Sequence, residues 1–366
     1  MLIVLLASVL ALGYPNSPHF GATQTDGHAA NVEWLGEVPP DELYSTRMLD
    51  IAGGKGIIVT EHTILSSEDG GHNWKVRAKL GIDEEPSEID GAWLDSASLL
   101  YVVSGGALFM SPNLGSSWKQ MNTERRDANY LMIAGDRDHG LIVLVGGRSI
   151  SIPHKQWLTL PKYAVDNSTA SPDRMVIPAI SISNDQGRTW RSVELPKAIG
   201  HLDGVRMTGD YGVAWGPYAV YASTDAGVSW KIMRMDVPHQ EEEAYPVSAA
   251  IAGKEIRVSL KNGRILGGQI DGHVLSPLAQ LSESVGALSF VDSCVGYGIA
   301  AEEAPTTEGG DVLMRTEDGG AKWVPVLHSK RIVTLSVSES DLYGAIVDHL
   351  FRIHASGGIT AHYCER

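Results

Sequence analysis

An eight-residue phrase recurs five times along this chain and constrains its fold more than any other feature. Ser67-Glu-Asp69-Gly-Gly71-His-Asn-Trp74 returns as Ser111-Pro-Asn113-Leu-Gly115-Ser-Ser-Trp118 and as Ser183-Asn-Asp185-Gln-Gly187-Arg-Thr-Trp190. It returns again as Ser223-Thr-Asp225-Ala-Gly227-Val-Ser-Trp230 and Thr316-Glu-Asp318-Gly-Gly320-Ala-Lys-Trp323. Five of the nine tryptophans hold the same place in it, so the copies are one structural unit repeated. The Asp or Asn oxygen suits a bond from an N–H two residues on, which pins a tight turn. The Gly permits positive φ, the Ser or Thr hydroxyl takes a further turn amide, and the Trp buries an apolar face. Short apolar strands precede each copy (63–66, 107–110, 179–182, 220–222, 312–315) and short strands follow, so each copy closes a β-hairpin. An active site occurs once, whereas these residues repeat. Asp69, Asn113, Asp185, Asp225, Asp318 and the indoles Trp74, Trp118, Trp190, Trp230 and Trp323 are therefore read as structural, not as catalysts or calcium ligands.

The copies start 44, 72, 40 and 93 residues apart. A module of about 40–47 residues fits a four-stranded propeller blade. The expectation is an all-β, seven-bladed propeller of antiparallel blades, with eight blades as the alternative. The 93-residue interval holds two modules, the first without its corner phrase, with strands at 247–252, 255–260 and 264–269. The 72-residue interval is one blade with an insertion over 153–174. An eight-bladed ring would instead make 149–157 a degenerate hairpin. The last blade has strands at 332–337, 341–347 and 350–354. Its fourth strand comes from 32–38, ahead of an inner strand at 43–51, so both chain ends share one sheet and no edge stays open.

The propeller accounts for residues 31–366. Residues 1–13 read as a signal peptide: the apolar run Met1–Leu12 is too short for a bilayer, and Ala11-Leu-Gly13 is a small-x-small cleavage pattern. No Lys or Arg precedes that run, and a buried first strand is the alternative. Residues 14–30 read as a flexible Pro/Ser/Gly-rich segment, and the protein is expected to be periplasmic or secreted. Cys294 and Cys364 suit an oxidising compartment, either bonded to each other or as two free thiols. A net charge of −15 argues against nucleic acid or an anionic membrane surface as partner. No later segment is long and apolar enough to insert in a membrane, and a monomer without cofactor or metal is expected.

The repeats resemble those of the Asp-box (BNR-repeat) β-propellers over nearly the whole chain. They are most similar to the bacterial relatives of the photosystem II stability/assembly factor, and more distantly to sialidase-like and sortilin-like propellers. Phe290-Val-Asp292-Ser-Cys-Val-Gly296-Tyr297-Gly-Ile-Ala and Thr208-Gly-Asp210-Tyr-Gly-Val-Ala-Trp215-Gly216 look like the inner-strand phrase of that group. The resemblance implies a non-enzymatic role in binding or assembling another protein. The arginine-rich patch it also implies has no dense counterpart here.

Blade topology locates a candidate face. Corner turns join third and fourth strands at one end of the ring. The loops between second and third strands, and between blades, lie at the other, where propeller ligand sites concentrate. That end should carry Arg125, Arg126, His201, Asp203, Tyr218, His239, Glu241, Glu243, Tyr245 and Arg331, which are the candidate binding residues for a protein or glycan. The rival function is a sialidase-like glycoside hydrolase. It would need three arginines around a Tyr nucleophile activated by a Glu, and Arg125, Arg126, Arg331, Glu243 and Tyr245 are the candidates. The sialidase Arg-Ile-Pro signature is matched only loosely by Arg174-Met-Val-Ile177-Pro178.

Overall fold

The computed structural model describes residues 23–24, 32–38, 45–81, 86–95, 98–157, 174–196, 200–237, 243–302, 310–338, 341–346 and 349–354. Its strands form seven four-stranded antiparallel blades. Blade 1 is Thr46–Ala52, Lys55–Thr60, Thr63–Ser67 and Lys75–Lys79; blade 2 is Gly91–Leu94, Leu100–Ser104, Ala107–Ser111 and Lys119–Gln120. Blade 3 is Ala128–Asp136, Leu141–Ser151, Arg174–Ser183 and Arg191–Val193; blade 4 is Gly204–Thr208, Tyr211–Gly216, Ala219–Ser223 and Lys231–Met235. Blade 5 is Pro246–Ala252, Glu255–Leu260, Arg264–Gln269 and Val274–Gln280; blade 6 is Val285–Phe290, Gly296–Glu302, Gly310–Thr316 and Val324–Ser329. Blade 7 takes Ile332–Ser338, Asp341–Ile346 and His349–His354 from the C-terminal side and Val32–Glu37 from the N-terminal side. The first strands of successive blades touch in a closed circle, the last returning to the first.

The alternation of side chains along each strand explains the ring. Successive residues point to opposite faces of a sheet, and in a propeller both faces are covered, so the middle strands are apolar throughout. Ile58 and Leu65 face blade 7, packing with Leu35, Tyr343 and Leu350. Their neighbours Ile57, Val59 and Ile64 face blade 2, packing with Leu94, Leu100 and Phe109. Seven such cores each join two adjacent blades. Each Ile or Leu buried there contributes about 1.5–3 kcal/mol.

Ring closure follows the sequence expectation: Glu33 lies opposite Arg352 and Trp34 opposite Phe351. Ser149–Ser151 pairs with Arg174–Val176 within blade 3, rather than forming the separate hairpin that the eight-blade alternative called for. The inner strand expected at 43–51 begins at Thr46. Two additions were not foreseen. Thr23–Gln24 extends the outer edge of blade 6, and the outer strands of blades 4 and 5 pair in parallel through Arg234 and Val274. No described helix is long and apolar enough to cross a membrane.

The five corners share one Ser/Thr–Asp/Asn–Gly hydrogen-bond scheme, closed in four of them by the indole N–H but not at Trp118, whose Nε1 is buried without a partner among the described residues; one feature corrects the expectation. In the third copy Ser183 Oγ donates to Asp185 Oδ1 at 2.8 Å and accepts the Gly187 N–H at 2.8 Å. Asp185 Oδ1 accepts the N–H of Thr189, four residues on rather than two, at 2.8 Å. The Trp190 indole N–H closes onto the Gly187 carbonyl at 3.0 Å. The longer reach arises because two consecutive residues have positive φ, Gln186 at 56° and Gly187 at 73°, which carries the chain once more around the carboxylate. Blade 5 has no such corner, as its sequence indicated.

Candidate binding face

The described connections between second and third strands and between blades lie at the end of the ring opposite the corners, as the antiparallel order of the blades requires. Blade 3 sends its insertion out there, beginning with the short helix His154–Trp157; residues 158–173 lie outside the described set, as do His239, Glu241 and Cys364. The half-cystine Cys294 sits at the corner end, and its carbonyl accepts the Gly319 N–H at 2.9 Å.

The link from blade 3 to blade 4 is the most firmly built part of this face. Gly200, Leu202 and Asp203 donate N–H bonds to Val176, Gly146 and Trp215 at 3.0, 3.0 and 2.8 Å. Gly200 has φ +93°, and a Cβ there would lie 2.9 Å from the Tyr218 ring, so only glycine lets that ring close over the link. On this platform His201 Nε2 meets Asp203 Oδ1 at 2.7 Å. That bond raises the imidazole pKa above its ordinary value, against the opposing effect of burial. Tyr218, beside it, is 37% exposed, and Tyr245, on the next inter-blade link, is 39% exposed. Both rings offer apolar area with a polar tip, which suits recognition of another surface.

One sector away, Arg125 Nη2 binds Glu194 Oε1 at 2.6 Å, tying two inter-blade links together. Glu124 accepts the Ser192 N–H, which is the main cause of its lowered pKa. Arg126 is exposed and has no ion pair among the described residues. Both arginines line a cavity of about 490 Å³ with Gln120, Asn122 and Thr123. The sequence reading had passed over these three amide and hydroxyl side chains, which polar linkers conceal. It had also missed Glu194, whose role is visible only across 69 positions of chain.

The structure does not assemble the glycosidase constellation. Arg125 and Arg126 lie between blades 2 and 3, Glu243 and Tyr245 between blades 4 and 5, and Arg331 between blades 6 and 7. The Glu243 and Tyr245 side chains share no hydrogen bond. Arg174 and Pro178 are strand residues paired with Ser151 and Gly147. Among the described residues no cluster of three His, Cys, Asp or Glu could hold a metal ion.

No protein-family model and no curated protein matches the sequence. Solved structures do. YCF48 bound to D1 peptide is 15% identical, with 91% of this chain and 99% of that one covered at a TM-score of 0.58. The extracellular domain of BT4673 from B. thetaiotaomicron is 8% identical, with 88% of this chain and 39% of that one covered at 0.60. An ancestral GH74 enzyme is 10% identical, with 86% and 45% covered at 0.56. At these identities the likeness establishes the propeller fold.

Proposed function

We propose that this propeller is an exported, non-catalytic protein that binds a segment of another protein on its loop-rich face, in the manner of an assembly factor. The observation that carries this reading is the arc over blades 2 to 5, where exposed Tyr245 and Arg126 stand on inter-blade links and exposed Tyr218, on the turn within blade 4, packs over the backbone-pinned link at Gly200. Rigid aromatic and arginine side chains of this kind dominate binding energy at protein interfaces. YCF48, a structural neighbour matched over 99% of its solved chain, is bound to a peptide, and BT4673 contributes an extracellular domain; both support the reading. A glycan is the alternative ligand of the same face. Against a sialidase-like hydrolase stands the absence of a hydrogen bond between Glu243 and Tyr245, because an activated tyrosine nucleophile needs a base within reach.

The test captures partners from the organism's own envelope fraction by cross-linking, beside a screen of glycoside substrates. Tyr218→Ala and Arg126→Ala should each weaken binding of the identified partner by tenfold or more, about 1.4 kcal/mol, while Lys322→Ala at the corner end should not. Glycoside turnover abolished by alanine at Glu243 or Tyr245 would overturn the reading.

A further inference from the structure

The corner end of the ring has a departure from its own repeat. The outer strand of blade 1 contains a bulge: Leu65 lies opposite Val76 and Ile64 opposite Ala78, leaving Arg77 as the extra residue. The outer strand of blade 6 has the same bulge, with Leu313 opposite Leu327, Met314 opposite Pro325, and Val326 as the extra residue. Each follows its corner tryptophan by three positions. A bulge re-aims the inserted side chain, and in blade 6 it delivers a fully buried valine into the core. Blade 1 delivers an arginine instead. Beside it a cavity of about 710 Å³ opens between blades 1 and 2 and reaches the inner strands at Asp50, Ala52 and Leu94.

We propose that this cavity is a second binding site, for a carboxylate ligand: a small organic acid or an acidic side chain of a peptide. Arg77, exposed on the rim, has no ion pair or hydrogen bond among the described residues. Its planar fork matches a carboxylate. Lys55 meets Glu68 at 3.6 Å with side chains 64% and 69% exposed. Such a pair is worth about 0–1 kcal/mol, so the ammonium is readily exchanged to a ligand. At the inner end Arg137 is fixed: its Nε donates to the Leu94 carbonyl at 2.7 Å, a terminal nitrogen pairs with Asp50, and the guanidinium lies 5.5 Å from the Trp93 ring centre. Leu94 and Leu114 supply an apolar floor. With Asp50 and Glu68 also in the lining, the three cations leave the cavity net positive in a chain of net charge −15, and the volume falls in the range of small-molecule sites.

Calorimetry on the full chain at low salt tests this with two probes, succinate and a capped glutamate peptide. At least one should bind saturably; succinate alone would identify a small acid, the peptide alone an acidic segment. Arg77→Val, which installs the repeat's own residue, should weaken that binding by tenfold or more, as should Arg77→Gln if the valine variant melts early. Arg126→Ala on the opposite face should leave it unchanged. Failure of both probes to bind, binding as tight as that of the unmodified chain in both Arg77 variants, or loss of binding in Arg126→Ala would overturn the proposal.

Discussion

The Tyr101 hydroxyl in blade 2 donates a 2.7 Å hydrogen bond to the Gln186 carbonyl, which lies in the corner turn of blade 3. Beneath that turn a Cβ at Gly187 would stand 3.2 Å from the same tyrosine ring. The corner of one blade thus rests on the second strand of the blade before it. Burial pushes the phenol pKa up to about 12, so the donor stays protonated throughout the working pH range. Tyr101→Phe should cost about 1 kcal/mol, read from the urea midpoint, with blade packing otherwise intact. An unchanged midpoint would show that the contact carries no stability.

Arg257 makes the corresponding contact three blades further around the ring. It is fully buried in blade 5, donates to the Gly319 carbonyl in the corner of blade 6, and pairs with Glu255. Arg257→Ala empties the space and strips Glu255 of its cation, a change that costs about 3 kcal/mol or more. Arg257→Met refills the volume and should cost less. Equal urea midpoints for the two variants would contradict this packing account.

The corners also predict an acid limb of stability. The Thr189 hydroxyl, then its N–H, hold the Asp185 carboxyl down at about 2, against about 3.9 in an unfolded chain. A lowered folded value means the contribution is whole above about pH 4 and is lost as pH falls towards 2. Asn113 makes the same bond to the Ser117 N–H at 2.8 Å without titrating. Asp185→Asn should therefore fold and show a shallower loss of stability between pH 4 and 2, measured by denaturation at stepped pH.

His201 titrates in the opposite sense. Its bond to Asp203 raises the folded pKa above about 6.5, so the pair stabilises fully below the unfolded value and fades as pH rises through the folded one. The His201 ring resonance followed by NMR should show a midpoint above 6.5, and Asp203→Asn should return it towards that value. A midpoint indifferent to Asp203 would break the link between them.

The parts of the fold legible in sequence are those built from local contacts. A corner is closed within eight residues by its own Ser, Asp and Trp, so five copies could be read directly. The strand at 32–38 could be placed because a ring with one unpaired edge must recruit it. The distant contacts were hidden. Arg257, between Ile256 and Val258, alternates like an outward-facing charge, yet it is buried against a turn 62 positions away. Arg137 reaches Asp50 across 87 positions. The larger of the two cavities described lies at the end of the ring opposite the loops, lined by Arg77, the extra residue of a bulge that leaves no mark in sequence. The arginine and tyrosine candidates lie on connections between strands, and their separation around the ring depended on the blade count.

Closure of the ring is the claim on which every face and sector depends, and paired cysteines test it directly. Glu33 and Arg352 are opposed in register on antiparallel strands at the two ends of the chain, a spacing of about 5 Å between Cα atoms that a disulfide can bridge. Glu33→Cys with Arg352→Cys should cross-link within one chain on mild oxidation, giving a single faster-migrating monomer band. Glu33→Cys with Lys75→Cys on the outer edge of blade 1 should not. Cross-linking in the control pair, or its absence in the first, would contradict a seven-bladed ring closed by the N-terminal strand.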